Sequence, residues 1–214
     1  MIAEPDVALT DYALALECAV FAWLLGRGPS AAAALRAWFV VFFCAIGLSA
    51  LLGGTEHGFL LDETTLLHTL VWKGALIAIG VSALAAWLIG ARLIAPAAAR
   101  RVRAGAVALF VGYLFAVART DAFLVAIVHY LPAVLFLLIV FAWRYRRGRE
   151  RHYLWGVVGL LLTFAAAGVQ RAGIGLHPVW FNHNALYHLI QAVALALLFL
   201  AARGIVRYRE KESC

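Results

Sequence analysis

Seven apolar runs follow one another along the chain, separated by brief connections rich in charge or turn residues. They cover roughly residues 9–25, 32–53, 67–91, 104–118, 122–143, 153–170 and 184–203. A bilayer-spanning helix needs about 20 predominantly apolar residues, and only the fourth run is short for one. The composition agrees: 65% of the residues are hydrophobic and 14% are charged. A soluble domain carries about a quarter charged residues, so this chain lacks the polar surface to cover itself in water. The expectation is an all-α integral membrane protein, a bundle of seven transmembrane helices. No internal repeat or second domain interrupts residues 1–214, which read as a single domain.

The charges then orient the bundle. Arg27 and Arg36, the group Arg92, Arg100, Arg101 and Arg103, the run RYRRGRERH and the tail RGIVRYREK fall on alternate connections. The others, MIAEPD, GTEHGFLLDETT, ARTD and QRAGIGLHPVWFNH, are acidic or mixed. Lys and Arg concentrate on the cytoplasmic side of membrane proteins, which puts the N-terminus outside and the C-terminus in the cytoplasm. The net charge of +7 is therefore an orientation signal that also favours anionic lipid heads; it argues against nucleic acid. MIAEPD lacks the basic region of a cleaved signal peptide, so the first helix is expected to be retained. Cys18, Cys44 and Cys214 have no metal-type spacing and imply no disulfide framework.

With that orientation His57, His68, His129, His177, His183 and His188 all lie toward the outer side. Asp11, Glu17, Glu56, Arg119, Asp121 and Arg171 join them. Ionisable groups inside a membrane usually face the bundle interior or a wet cavity, so an outward-opening polar chamber is expected. Bland readings compete. Asp11 and Asp121 suit helix N-caps, Lys73 suits a snorkelling side chain, and His177 suits a loop at headgroup level. His129 suits a hydrogen bond to a neighbouring helix. Glu17 sits about two turns inside the first span and needs a partner.

The sharpest signal is His57 together with His183, Asn184 and His188 in FNHNALYH. Imidazole is the commonest metal-binding side chain, and catalytic zinc takes three protein ligands plus water. On a helix, Asn184 and His188 share a face, whereas His183 and His188 diverge by about 140°. Both reach one ion only if His183 precedes the regular helix, a start that Pro178 and Asn182 would suit. The competing reading makes these histidines hydrogen-bonding partners between helices.

GGTEHGF at 53–59 with FNHNALYH at 181–188 resembles an uncharacterised bacterial family of seven-span proteins. The layout is similar to the superfamily of alkaline ceramidases, progestin and adipoQ receptors and Per1-like lipid remodelling proteins. That resemblance implies zinc held by three histidines, with bound water attacking a lipid amide, in a bacterial inner membrane. His57 matches the histidine of span two and His188 the second of span seven. His183 would have to replace the other, because Asn184 stands at its place. The superfamily's serine before the span-two histidine falls on Gly53, with Ser49 a further turn away. Its span-three aspartate has no clear counterpart beyond Asp62 or His68. With zinc bound, Glu56 or His68 would accept the proton, and Asp11 and Glu17 would orient the ligands. The substrate class implied is a membrane lipid amide or ester. A metal-containing receptor or sensor and a small ion or proton transporter are the alternatives.

Overall fold

A computed structural model describes residues 2–27, 32–177 and 180–212. Pro178 and Cys214, invoked above, lie outside the described residues. Those described form seven helices: α1 Pro5–Gly26, α2 Ala33–Phe59, α3 Leu66–Ala91, α4 Pro96–Arg119, α5 Phe123–Gly148, α6 Arg151–Arg171 and α7 His183–Glu212. Each is long and apolar enough to cross a membrane. The shortest has 21 residues and the longest 30. At about 1.5 Å rise per residue all of them exceed the ~30 Å hydrocarbon layer.

The helices begin earlier or end later than the apolar runs, because charge does not stop an α-helix. α4 starts at Pro96, where a proline lacking an N–H fits the first turn. It therefore carries Arg100, Arg101 and Arg103 on helical turns, which removes the shortfall of the fourth run. α2 continues through Glu56 and His57 to Phe59. Asp11 is no N-cap, since α1 opens six residues earlier at Pro5. Asp121 is no N-cap either: Ala122 occupies that position of α5. Instead the Asp121 carboxylate pairs with Lys73 at 3.4 Å, and its carbonyl accepts from the Trp72 indole at 2.7 Å.

Six of the helices close a ring. α1 packs on α2, α2 on α3, α3 on α5, α5 on α6, α6 on α7 and α7 back on α1. α4 stands outside this ring, touching only α3 and α5. The most enclosed helix, α3, buries a run of alanines, Ala75, Ala78, Ala83, Ala85 and Ala86. Between membrane helices small residues let backbones approach, and packing rather than hydrophobicity drives association. Phe21, Phe43 and Phe199 fill the ring between α1, α2 and α7, with Phe21 stacked on Phe199 at 4.4 Å. α1 and α2 approach each other closely. A Cβ on Gly47 would lie 2.9 Å from the Cys18 Cβ, and one on Gly54 would lie 2.9 Å from the Asp11 Cβ.

A candidate acid–base site at one end of the ring

The start of α1, the end of α2 and the starts of α3 and α7 meet at one end of the bundle. The segment leading into α1 is tied to α2 by backbone bonds, Ala3 N–H to Gly58 at 3.1 Å and Glu4 N–H to His57 at 3.2 Å. The same residues pair through their side chains, Glu4 Oε2 lying 2.7 Å from His57 Nδ1. The entry to α7 is anchored on α1: the Asn182 N–H donates to Asp6 Oδ2 at 3.0 Å. Asn182 also caps α7, its Oδ1 accepting from the amides of Asn184 and Ala185 at 2.8 and 3.1 Å.

One turn deeper, His188 fits between two groups of α1. Its Nδ1 is 3.0 Å from the Thr10 hydroxyl and its Nε2 is 3.3 Å from Asp11 Oδ1. Both Asp11 and His188 are buried. The Thr10 hydroxyl also lies 2.8 Å from the Asp6 carbonyl and 2.9 Å from that of Val7. A hydroxyl has one proton to give. With that proton on a carbonyl, the ring donates through Nδ1, and Nε2 and Asp11 face each other over a single shared proton. Gly53 makes room for the carboxylate, since a Cβ there would stand 3.3 Å from Asp11 Oδ2. At the position where the resemblance would put a serine, α1 therefore supplies a carboxylate.

A third pair joins α2 to α3. Glu56 Oε1 contacts His68 Nδ1, which also bonds the Leu60 carbonyl at 2.9 Å. Glu56 is buried, and its Oε2 has no hydrogen-bond partner among the described residues. Asp62 lies in the exposed connection that follows. It accepts from the hydroxyl of Thr64 at 2.6 Å and the amide of Thr64 at 3.0 Å. Those bonds hold its carboxyl below the usual range, the hydroxyl contributing most. Asp62 is a turn former rather than a member of the site.

The remaining candidates go elsewhere. His183 is the first residue of α7, so the non-helical start that would turn it toward His188 is absent. Asn184 is engaged by α6, its Oδ1 accepting from Gln170 at 2.9 Å. Glu17 lies about two turns further in, with Oε2 buried and without a hydrogen-bond partner among the described residues. Ser49 is half-buried on α2 and bonds none of these groups among the described residues. His129 stacks on Tyr113 at 4.2 Å between α4 and α5. His177 is exposed and pairs with Phe181 in an isolated β-bridge between α6 and α7, in keeping with its loop reading.

The zinc set can be tested on this geometry. Among the described residues no three His, Cys, Asp or Glu side chains gather so as to hold one ion. His57 is turned to Glu4, His188 is held by Thr10 and Asp11, and His183 projects from another side of α7. The His57, His183 and His188 set does not fit a single ion as arranged. The partners that sequence reasoning missed are Glu4 and Thr10. The signal for Thr10 was present, since Asp6 and Thr10 are one turn apart with Asp11 adjacent.

These features define an all-helical, membrane-capable protein with three carboxylate–imidazole pairs at one end of a closed helix ring. A family model described as "Family of unknown function (DUF6962)" matches residues 7–207, and the chain belongs to that family. No curated protein and no solved structure matches it.

Proposed function

We propose that the protein is a membrane-embedded hydrolase that cleaves an amide or ester bond of a lipid at the outer membrane boundary. The observation that carries this reading is the Asp11–His188 pair with Thr10 on the second ring nitrogen. A carboxylate and a hydroxyl on opposite nitrogens hold an imidazole in one orientation, as proton transfer in a reacting site requires. Asp11 accepts a proton from water on Oδ2, the oxygen that does not face His188 Nε2, as the water oxygen bonds to the acyl carbon. The bond from that carbon to the leaving nitrogen or oxygen then breaks, and the leaving group takes the proton back. The products are a fatty acid and an amine or alcohol. Glu4 with His57 is the part-exposed pair nearer the mouth, and Glu56 with His68 is a second proton-accepting pair.

A lipid suits the surroundings. Phe59, Leu61, Leu66, Leu67 and Leu70 are exposed beside the α2–α3 connection. Apolar side chains at the rim of a polar site favour a substrate with acyl chains in the membrane and its scissile bond at headgroup level. Water activation in this reading belongs to the imidazole–carboxylate pairs. Zinc at this end is a separate expectation, carried by the resemblance and tested by metal analysis.

Fatty-acid release from long-chain N-acyl amides and esters in mixed micelles tests the proposal. Asp11→Asn and His188→Gln should each slow release by about 100-fold or more, the usual contribution of acid–base groups. His129→Gln should not. No release from either lipid class, or equal release by the site variants, would sink it. One observation favours a second reading, a proton or ion pathway: deeper in the bundle, Glu17 Oε2 and Gln191 Oε1 are buried with no hydrogen-bond partner among the described residues. Ion flux in liposomes that is lost in Glu17→Gln would carry that alternative.

A further inference from the structure

At the opposite end, α5 stops at Gly148 and α6 starts at Arg151, leaving only two residues between antiparallel helices. Arg149 makes the reversal in the left-handed region, φ 57°, and its amide closes α5 on the Tyr145 carbonyl at 2.8 Å. The segment from 143 to 153 reads WRYRRGRERHY. It brings Arg144, Arg146, Arg147, Arg149 and Arg151 together with Glu150 as its one acid. Among the described residues none of these arginines is paired with a carboxylate.

Aromatic rings hold three of them. The Arg147 guanidinium lies 4.7 Å from the centroid of Trp143, and that of Arg149 lies 5.5 Å from the centroid of Tyr145. Arg144 lies 5.6 Å from the Tyr153 ring and its Nε–H donates to the Tyr153 hydroxyl at 3.3 Å. Contact with a ring face leaves the in-plane N–H groups of Arg147 and Arg149 free to donate, and both residues are exposed. A guanidinium edge fits two oxygens of a phosphate. Five positive charges against the single Glu150 leave a net excess that repels itself, so an outside anion relieves the connection. The Arg100, Arg101 and Arg103 group on α4 differs: no aromatic ring lies under those guanidinium groups among the described residues.

We propose that the α5–α6 connection is a binding site for the phosphate of an anionic membrane lipid. The source of the phosphate follows from what adjoins the site. Trp143 and Trp155 are exposed at this level, where amphipathic rings mark the headgroup region. Ile139 on α5 and Val158 on α6 are exposed further toward the bundle centre, a surface for acyl chains. The site is independent of the chemistry proposed for the other end.

The test is lipid retention by the full-length protein in neutral detergent, offered equal amounts of phosphatidylglycerol and phosphatidylcholine and read by native mass spectrometry. The parent protein should retain the anionic lipid in preference by about 30-fold, the equivalent of about 1 kcal/mol for each of Arg147 and Arg149 at an anionic surface. R147Q/R149Q should lose that preference, and R100Q/R101Q, which removes the same charge elsewhere, should keep it. R147K/R149K should also lose most of it, because the ammonium has no planar fork. Equal loss in the two Gln pairs would reduce the site to general surface charge. Full preference in the Lys pair, or displacement of the lipid by millimolar inorganic phosphate, would likewise overturn the proposal. Thermal unfolding verifies that each pair is folded; should R147Q/R149Q not fold, R147Q and R149Q singly are held to the same outcomes.

Discussion

Asp11 Oδ1 lies 3.3 Å from His188 Nε2, so the first and last helices are joined by a carboxylate and an imidazole where the helix ring closes. Thr10 secures the other side of the same ring. A double-mutant cycle should therefore be strongly non-additive. Removing one member of a buried pair costs about 3–5 kcal/mol, because its partner stays buried. Asp11→Ala and His188→Ala should each destabilise by that order, and the double variant by much less than the sum. Additive losses in thermal or denaturant unfolding in micelles would show that the two side chains are not coupled.

Gly54 and Gly105 make a second contrast. A Cβ on Gly54 would meet the Asp11 Cβ at 2.9 Å and the Ala8 carbonyl at 3.1 Å, whereas one on Gly105 meets nothing within 4 Å. Gly54→Ala should cost about 1–3 kcal/mol by overpacking and weaken the site through Asp11. Gly105→Ala should be neutral or stabilising by up to about 1 kcal/mol, since alanine is the better helix former. Equal unfolding midpoints for the two would contradict the close approach of α1 and α2.

The position of His183 leads to a prediction about metal. His183 is the first residue of α7 and projects about 140° from His188 around the helix. His183→Ala should purify with the zinc content of the parent protein, measured by elemental analysis. His57→Ala and His188→Ala are the variants in which any zinc at this end should fall. A drop confined to His183→Ala would place that ring among the ligands and overturn the helical start described here.

Orientation can be read independently of chemistry. Fusions of a compartment-sensitive reporter after residues 30, 97 and 148 should all report the cytoplasm, because the basic connections lie at those points. An outside signal at 148 would break the topology at α4, the helix that stands outside the ring.

The sequence by itself determined the number, order and class of the elements. Apolar runs and helix-permitting residues are local properties, and seven of them are legible without any knowledge of packing. Their ends were less legible, because Arg100 to Arg103 and Glu56–His57 continue helices past the apolar stretch on which hydropathy depends. That histidines and carboxylates would gather at one end also followed from charge placement, since α1, α2, α3 and α7 bring opposite ends together in alternation. Only the tertiary structure decided who meets whom. α4 is as apolar as a span must be, yet nothing in its sequence says that α3 and α5 touch each other and leave it outside the ring. The pairing of His57 with Glu4 rather than with His188 depends on how the residues before α1 cross the end of α2. The pairing of His188 with Asp11 depends on Gly53 and Gly54 letting two helix backbones come close. Such contacts are set by distance and rotation between helices, which residue type and spacing along one chain do not encode.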